Sequence, residues 1–354
     1  MTSIRNIDEV LPKIDGRKDF IHVQKDGYSV VDYVYAEKDS FDCPVRLECR
    51  GLKFDSKTGD LIARPFEKFF NVGEKEQVNE IDFSKPHCVM EKLDGSMIHP
   101  AIVNNEVLYM TRMGHTDVAQ ACQSRHFLPG VADLLKSGFT PIFEWTAPEN
   151  RIVVRYNESR LTLLAVRHME TGFYVDNGKL ADMARGLGVP MARLFEPVSN
   201  PTEFMNHARG LMDDEGFVIR FHDGKAYKIK ADDYVMQHRA KSDLDSEKKV
   251  LAVVLEGRED DLSAALDTSD ADELMEYAFA VNLRIQQLCE DVVMCVVRNE
   301  HLDRKSFALG PVAAYDARLK GALFAVRDGR NVRECVIEAV RKNPDILGVS
   351  WRGS

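Results

Sequence analysis

Lys92 is the residue whose setting in this sequence most invites chemistry. It lies in Val89-Met90-Glu91-Lys92-Leu93-Asp94-Gly95-Ser96-Met97, with Asp-Gly two residues on. An apolar-led run precedes it and another extends from Ile98 to Val103, so Lys92 sits where one strand turns into the next. Backbone on both sides would then hold its amine as a covalent nucleophile requires. The stretch reads equally well as a surface hairpin, because Asp-Gly is a strong turn dipeptide. Other parts give the lysine its interest. Arg50 is followed directly by glycine, and Lys68 stands in Pro65-Phe66-Glu67-Lys68-Phe69-Phe70-Asn71, whose rings read as core. Glu144 lies amid the apolar run Phe139 to Ala147, where a carboxylate is costly unless paired or turned to an edge. Glu215 opens Glu215-Gly216-Phe217-Val218, and Lys228-Ile229-Lys230 follows the Asp223-Gly224 turn. Two residues apart on a strand, Lys228 and Lys230 share one face. They are either a guarded edge or a pair awaiting an anion.

One amine, several cations and two carboxylates are what nucleotidyl transfer needs. The amine attacks the α-phosphorus of a nucleoside triphosphate, and cations take up charge on the phosphoryl oxygens and the departing pyrophosphate. Carboxylates hold the divalent metal. Cations or a metal crowded around Lys92 would favour the neutral amine that attacks. The sequence has no G-x-x-x-x-G-K-S/T loop, H-E-x-x-H or G-x-S-x-G. His99, His115, His168 and His222 are isolated and read as ordinary strand or surface residues.

Positioning these groups falls to a β-rich first two thirds. Hairpins are expected over Ile21 to Tyr35 and from Arg46–Phe54 into Leu61–Arg64, with Arg50 in the first arm of the second. Further strands are expected at Glu106–Met110, Phe139–Ala147 and Leu161–Val166, and a hairpin joins Glu215 to Lys230. Helices are expected over Gln120–Lys136, interrupted at Pro129-Gly130, then Lys179–Leu187, and Thr202–Gly210 capped by Thr202. From 246 helical periodicity takes over. A long helix over 270–299 has Asp270 and Glu273 as its capping box, and Ala278, Val281, Ile285, Leu288, Val292 and Cys295 or Val296 form its core stripe. The fold class expected is therefore α+β, a mixed or antiparallel-sheet domain followed by an all-helical one.

Composition sets bounds. The 354 residues suffice for two or three domains, and 44% hydrophobic and 29% charged residues are ordinary for a globular protein. No eighteen-residue apolar run exists, so no membrane span is expected, and the first thirty residues carry Asp8, Glu9, Asp15 and Asp19 and no apolar core, which argues against a signal peptide. Seven scattered cysteines without a C-x-x-C pair suit a reducing cytoplasm. The net charge of −10 leans against a nucleic-acid coat, so any polyanion site must be a local cluster.

The ordered set K-x-D-G, strand glutamate, E-G-F-V and K-I-K resembles the covalent nucleotidyltransferases. Leu47-Glu48-Cys49-Arg50-Gly51, Arg64 to Asn71, Ala147-Pro148-Glu149-Asn150-Arg151-Ile152-Val153 and Lys228-Ile229-Lys230 narrow the likeness to the bacteriophage T4 RNA ligase 1 family, from about Tyr33 to Ser246. The resemblance implies an ATP-grasp-like adenylyltransferase domain at 1–245 and a helical RNA-specificity module at 246–354. It implies Lys92 as the lysine that carries AMP, and Arg50 and Lys68 on the triphosphate tail. Glu91 and Glu144 would lie by the nucleoside, with Lys228 and Lys230 at the α-phosphate and Glu215, with Asp94, at the metal. It further implies ATP with magnesium or manganese. The expected partner is single-stranded or broken stem-loop RNA bearing 5′-phosphate and 3′-hydroxyl ends, with broken tRNA one candidate. A monomeric, phage-encoded enzyme in the host cytoplasm completes the expectation. One departure stands out, since Thr111-Arg112-Met113 precedes Gly114 where the family has two lysines. A DNA ligase, a capping-type enzyme and a non-catalytic RNA-end-binding protein are the alternatives.

Overall fold

A computed structural model describes residues 2–353. The chain divides into two compact units, Met1–Val235 and Met236–Ser354.

Three sheets build the first unit. The first is an antiparallel meander of Phe20–Gln24, Tyr28–Tyr33, Leu52–Asp55 and Leu61–Ala63. The second, also antiparallel, has the order Arg160–His168, Phe139–Thr146, Ser96–Val103, Glu106–Met110. The third has the order Leu194–Phe195, His87–Glu91, Gly216–Phe221, Ala226–Lys230, Phe70–Asn71, and its last pair is parallel. Val, Ile and Phe at alternate positions fill the layers between sheet and helix. The second unit is helical and centres on Thr268–Arg298. Ala278, Val281, Ile285, Leu288 and Val292 are buried there as expected, against Phe307, Val336 and Val340. The expected α+β class is what the chain adopts. Among the described residues no helix is long and apolar enough to cross a membrane, and all seven cysteines are free thiols.

Several local expectations are corrected. The strands flanking Lys92 do not form a hairpin: His87–Glu91 belongs to the third sheet and Ser96–Val103 to the second. Pro44–Glu48 is a helix with Pro44 in its first turn, not a strand arm, and Arg50 lies in the loop after it. Asn200, not Thr202, caps the helix Pro201–Arg209 by accepting from the Glu203 N–H. Asp267 caps the long helix, accepting from the Ser269 and Asp270 N–H groups. Asp270 and Glu273 instead bind the Arg352 guanidinium.

A buried charge cluster centres on Glu48. The Glu48 carboxylate sits between two fully buried guanidiniums, with Arg64 Nη2 2.6 Å and Arg167 Nη1 2.7 Å from its oxygens. Arg64 also donates to the Met169, Glu170 and Thr2 carbonyls, and Arg167 to those of Pro65 and Gly172. Burial pushes the Glu48 carboxyl up, but the two guanidiniums outweigh it and hold it below the usual carboxylate range.

Candidate active site

Lys92 occupies the crossing between the second and third sheets. Its N–H donates to the Gly216 carbonyl at 2.9 Å, which fixes the backbone at Lys92 itself. Gly95 and Gly216 are needed for packing here. A Cβ at Gly95 would lie 2.3 Å from the Trp145 carbonyl oxygen, and one at Gly216 2.0 Å from that of Ile229. Asp94, 1% exposed, ties the turn down. Its oxygens accept from Tyr234 Oη at 2.7 Å and from the Val153 and Val154 N–H groups at 2.7 and 2.8 Å. Its own N–H donates to Tyr156 Oη. Both oxygens thus tie down the turn.

Glu215 is 4% exposed and bridges two ammonium groups, Lys92 Nζ at 2.6 Å and Lys230 Nζ at 3.0 Å. Lys230 also lies over the Tyr234 ring. Glu144 faces the same region from mid-strand, opposite Met97 and Thr162. Burial pushes its carboxyl up to about 8; Lys92 and the Gly95 N–H act to lower it, while Glu215 and Asp94 add to the rise. The buried-strand carboxylate singled out in the sequence is therefore part of the Lys92 neighbourhood.

The cations gather on this side too. Burial, joined by the charges of Lys68, Lys92, Arg50 and Lys230, pushes the Lys228 ammonium down to about 8. Lys68 Nζ lies 5.1 to 5.4 Å from the ring centroids of Tyr33, Phe41 and Phe70. Arg50 makes only long contacts, 3.5 Å to the Phe66 carbonyl and 3.7 Å to Met97 Sδ. Among the described residues Arg50, Lys68 and Lys228 have no ion-pair partner. Like charges held together without a counterion repel one another, so the cluster favours a polyanionic ligand.

Beside Lys92 opens a cavity of about 610 Å³, within the usual range for small ligands. Met191, Phe195, Leu211 and Phe217 give it apolar walls, and Glu91 and Arg193 polar ones. Glu91 and Arg193 exchange backbone hydrogen bonds through Glu91 N–H to Arg193 O at 3.0 Å, and Glu91 Oε1 accepts the Arg193 N–H at 2.7 Å. A purine-sized group in the cavity and a phosphate chain along the cations would place their junction at Lys92.

Among the described residues no three or more Asp, Glu, His or Cys side chains form a ready-made metal site. Magnesium commonly binds through one or two carboxylates plus substrate phosphates. Glu215, already a cation binder here, fits that arrangement. Sequence reasoning passed over Tyr156 and Tyr234, which clamp Asp94. Their partners lie 62 and 140 residues away, beyond any local pattern.

The Lys228 environment gives a pH expectation. In the free protein Lys228 is charged below about 8 and loses its proton above it. A bound polyphosphate favours the charged form, so binding takes up a proton once the pH exceeds 8. The Kd for ATP, measured by calorimetry, should be flat below pH 8 and weaken by up to about tenfold per unit above it. The Lys228→Met variant should bind more weakly throughout and lose that break.

The comparisons with known proteins agree. The family described as RNA ligase matches residues 48–243. A Thermovibrio ammonificans protein provisionally named an RNA ligase is 30% identical over 275 residues, covering 73% of this chain and 71% of its own. RNA ligase 1 of bacteriophage TS2126 is 26% identical over 264 residues, 68% of this chain and 64% of that one. The fold is thus a nucleotidyltransferase-like unit with a helical unit after it. The chain belongs to the RNA ligase family, the branch like bacteriophage T4 RNA ligase 1 within the ATP-dependent nucleotidyltransferases.

Proposed function

We propose that the protein is an ATP-dependent RNA ligase that joins 5′-phosphate and 3′-hydroxyl RNA ends through a lysyl-AMP intermediate on Lys92. The observation that carries this reading is the position of Lys92, between a cavity of nucleoside size with both apolar and polar walls and the cations Arg50, Lys68 and Lys228, which have no carboxylate partner among the described residues. The neutral Lys92 amine attacks the α-phosphorus of ATP, its proton is released to solvent, and pyrophosphate leaves. Arg50 and Lys68 take the charge of the leaving pyrophosphate, and Lys228 and Lys230 that at the α-phosphate. Glu91 and Glu144 orient the nucleoside. The AMP then passes to an RNA 5′-phosphate as a 5′–5′ phosphoanhydride, and a 3′-hydroxyl displaces it to leave a 3′–5′ phosphodiester. Magnesium or manganese, held by Glu215 with the substrate's phosphate oxygens, would neutralise phosphate charge. Residues 1–245 serve as the adenylyltransferase domain and 246–354 as the part that selects the RNA.

The test is intact mass after incubation with ATP and magnesium, before and after addition of single-stranded 5′-phosphorylated RNA. A gain of one AMP, lost on RNA addition as circular or joined product forms, is the expected result. An adduct formed from GTP instead would make the protein a capping-type enzyme. An AMP adduct that discharges only onto nicked DNA would make it a DNA ligase, and no adduct at all would leave an RNA-end-binding protein.

A further inference from the structure

Arg50 has a guanidinium held only by long contacts, so what fixes its place is its backbone. That backbone rests on a group of buried charges which the mechanism above leaves unused. Lys53 and Asp32 are both fully buried. Lys53 Nζ donates to the Gly51 carbonyl at 2.5 Å and to the Arg112 carbonyl at 3.0 Å. Asp32 Oδ2 accepts from Arg112 Nε at 2.8 Å, and Oδ1 from the Tyr33 N–H at 2.8 Å. Arg112 Nη2 donates to the Tyr33 carbonyl at 3.2 Å, and its guanidinium lies 4.5 Å from the centroid of the Tyr33 ring, one of the rings around Lys68.

The two backbones meet at Gly51. Its φ is +90°, and a Cβ there would lie 2.8 Å from the Arg112 carbonyl oxygen. Its N–H donates to Val31 at 3.0 Å, so both faces of the Arg50–Gly51 peptide region are held. His99, fully buried, has neither ring nitrogen bonded among the described residues. Burial, then Lys53 and Arg50, push it well below its usual range, so it adds no further charge. Asp32 thus faces two cations, and a buried lysine spends its donors on two carbonyls, that of Gly51 at the end of the Arg50 loop and that of Arg112 in the turn packed against it. A charge buried this deeply is costly unless its bonds are needed.

We propose that Lys53 and Asp32 are positioning residues that, with Arg112, clamp the Arg50 loop and set Arg50 and the Tyr33–Lys68 contact toward the pyrophosphate that leaves. Having no exposed surface, neither touches substrate, and both act through Arg50. Arg112, which replaces the family's lysine pattern, serves as the outer half of the clamp. The inference rests on the ligase reading above, in which Arg50 acts in adenylylation and not in sealing.

The experiment compares full-length wild type, Lys53→Met, Arg50→Ala and the double variant in two assays. One is single-turnover AMP-adduct formation with magnesium and ATP, and the other is sealing of pre-adenylylated RNA without ATP. Lys53→Met should slow adduct formation by about 10- to 100-fold, as misplacing a catalytic group does. It should leave sealing within about threefold, and add nothing to the loss already present in Arg50→Ala, since two residues acting as one unit are not additive. Losses that multiply in the double variant, equal losses in both assays, or no loss would each overturn the proposal. If circular dichroism shows Lys53→Met unfolded, Asp32→Asn is read by the same three criteria. Absence of an adduct in the wild type would instead remove the ligase reading itself.

Discussion

Lys92→Met is expected to abolish the AMP adduct, with a loss of roughly 10⁴-fold or more, as removal of a covalent nucleophile produces. Intact mass after ATP and magnesium reads this directly. The variant should keep its fold, because Glu215 retains Lys230 at 3.0 Å when the Lys92 ammonium is gone. The cost should stay at about 1–2 kcal/mol, below the ~3–5 kcal/mol of a buried charge left wholly unpaired. Adding Lys230→Met removes the second ammonium and should bring the loss to that larger range. An AMP adduct on the Lys92→Met protein would assign the nucleophile elsewhere.

Glu48→Gln is expected to be the most damaging single change to stability, although the Glu48 carboxylate bonds to none of the site's side chains and only its carbonyl reaches the site, accepting from the Arg50 N–H at 2.6 Å. It leaves Arg64, fully buried, without its carboxylate partner, and Arg167, also fully buried, with that of Glu67 alone. Removing one partner of a buried ion pair in this way costs about 3–5 kcal/mol. In a unit of this size that is a fall of roughly 6–20 °C in thermal midpoint. The folded carboxyl titrates below its unfolded value, so its contribution is present above the unfolded value and is lost as pH falls through the folded one. The gap between wild type and variant should therefore be full at neutral pH and close in acid. A midpoint within 2 °C of wild type at pH 7 would show that Arg64 is satisfied by its carbonyl partners and Arg167 by its own together with Glu67.

What was legible in the sequence was what short-range pattern encodes. Lys228 and Lys230 alternate with Tyr227 and Ile229, and the strand does bury the second pair and turn the first to the other face. The apolar stripe of the long helix was equally readable from its period. Errors came where two local signals competed. Arg46 to Cys49 alternates enough to pass for a strand, but Pro44, fixed at a helical φ, starts a helix. Asn200-Pro201 is the stronger cap signal than Thr202, and Asp267 stands three residues ahead of the chosen Asp270. The hairpin expected at Lys92 failed for another reason, because sheet membership is a long-range property. The strand before the lysine pairs with residues near 195 and 217, and the strand after it with residues near 108 and 144. Glu48, Asp32 and Lys53 were invisible as a class. Arg167 is 119 residues from Glu48 and Arg112 is 80 from Asp32, and no spacing rule reaches so far.

The contrast between an acidic chain and its uncompensated cations bears on how a polyanion arrives. At physiological salt, charges are screened beyond about 8 Å. A net charge of −10 therefore offers an approaching strand no long-range steering, and attraction begins only when a phosphate reaches Arg50, Lys68 and Lys228 themselves. Such a site works by residence rather than by capture. Under the proposed reading, a phosphate at a strand terminus, which brings fewer like charges toward an acidic chain, would be held more readily than one within a run. Encounter is then slow and sparing, and discrimination lies in the few ångströms of final approach.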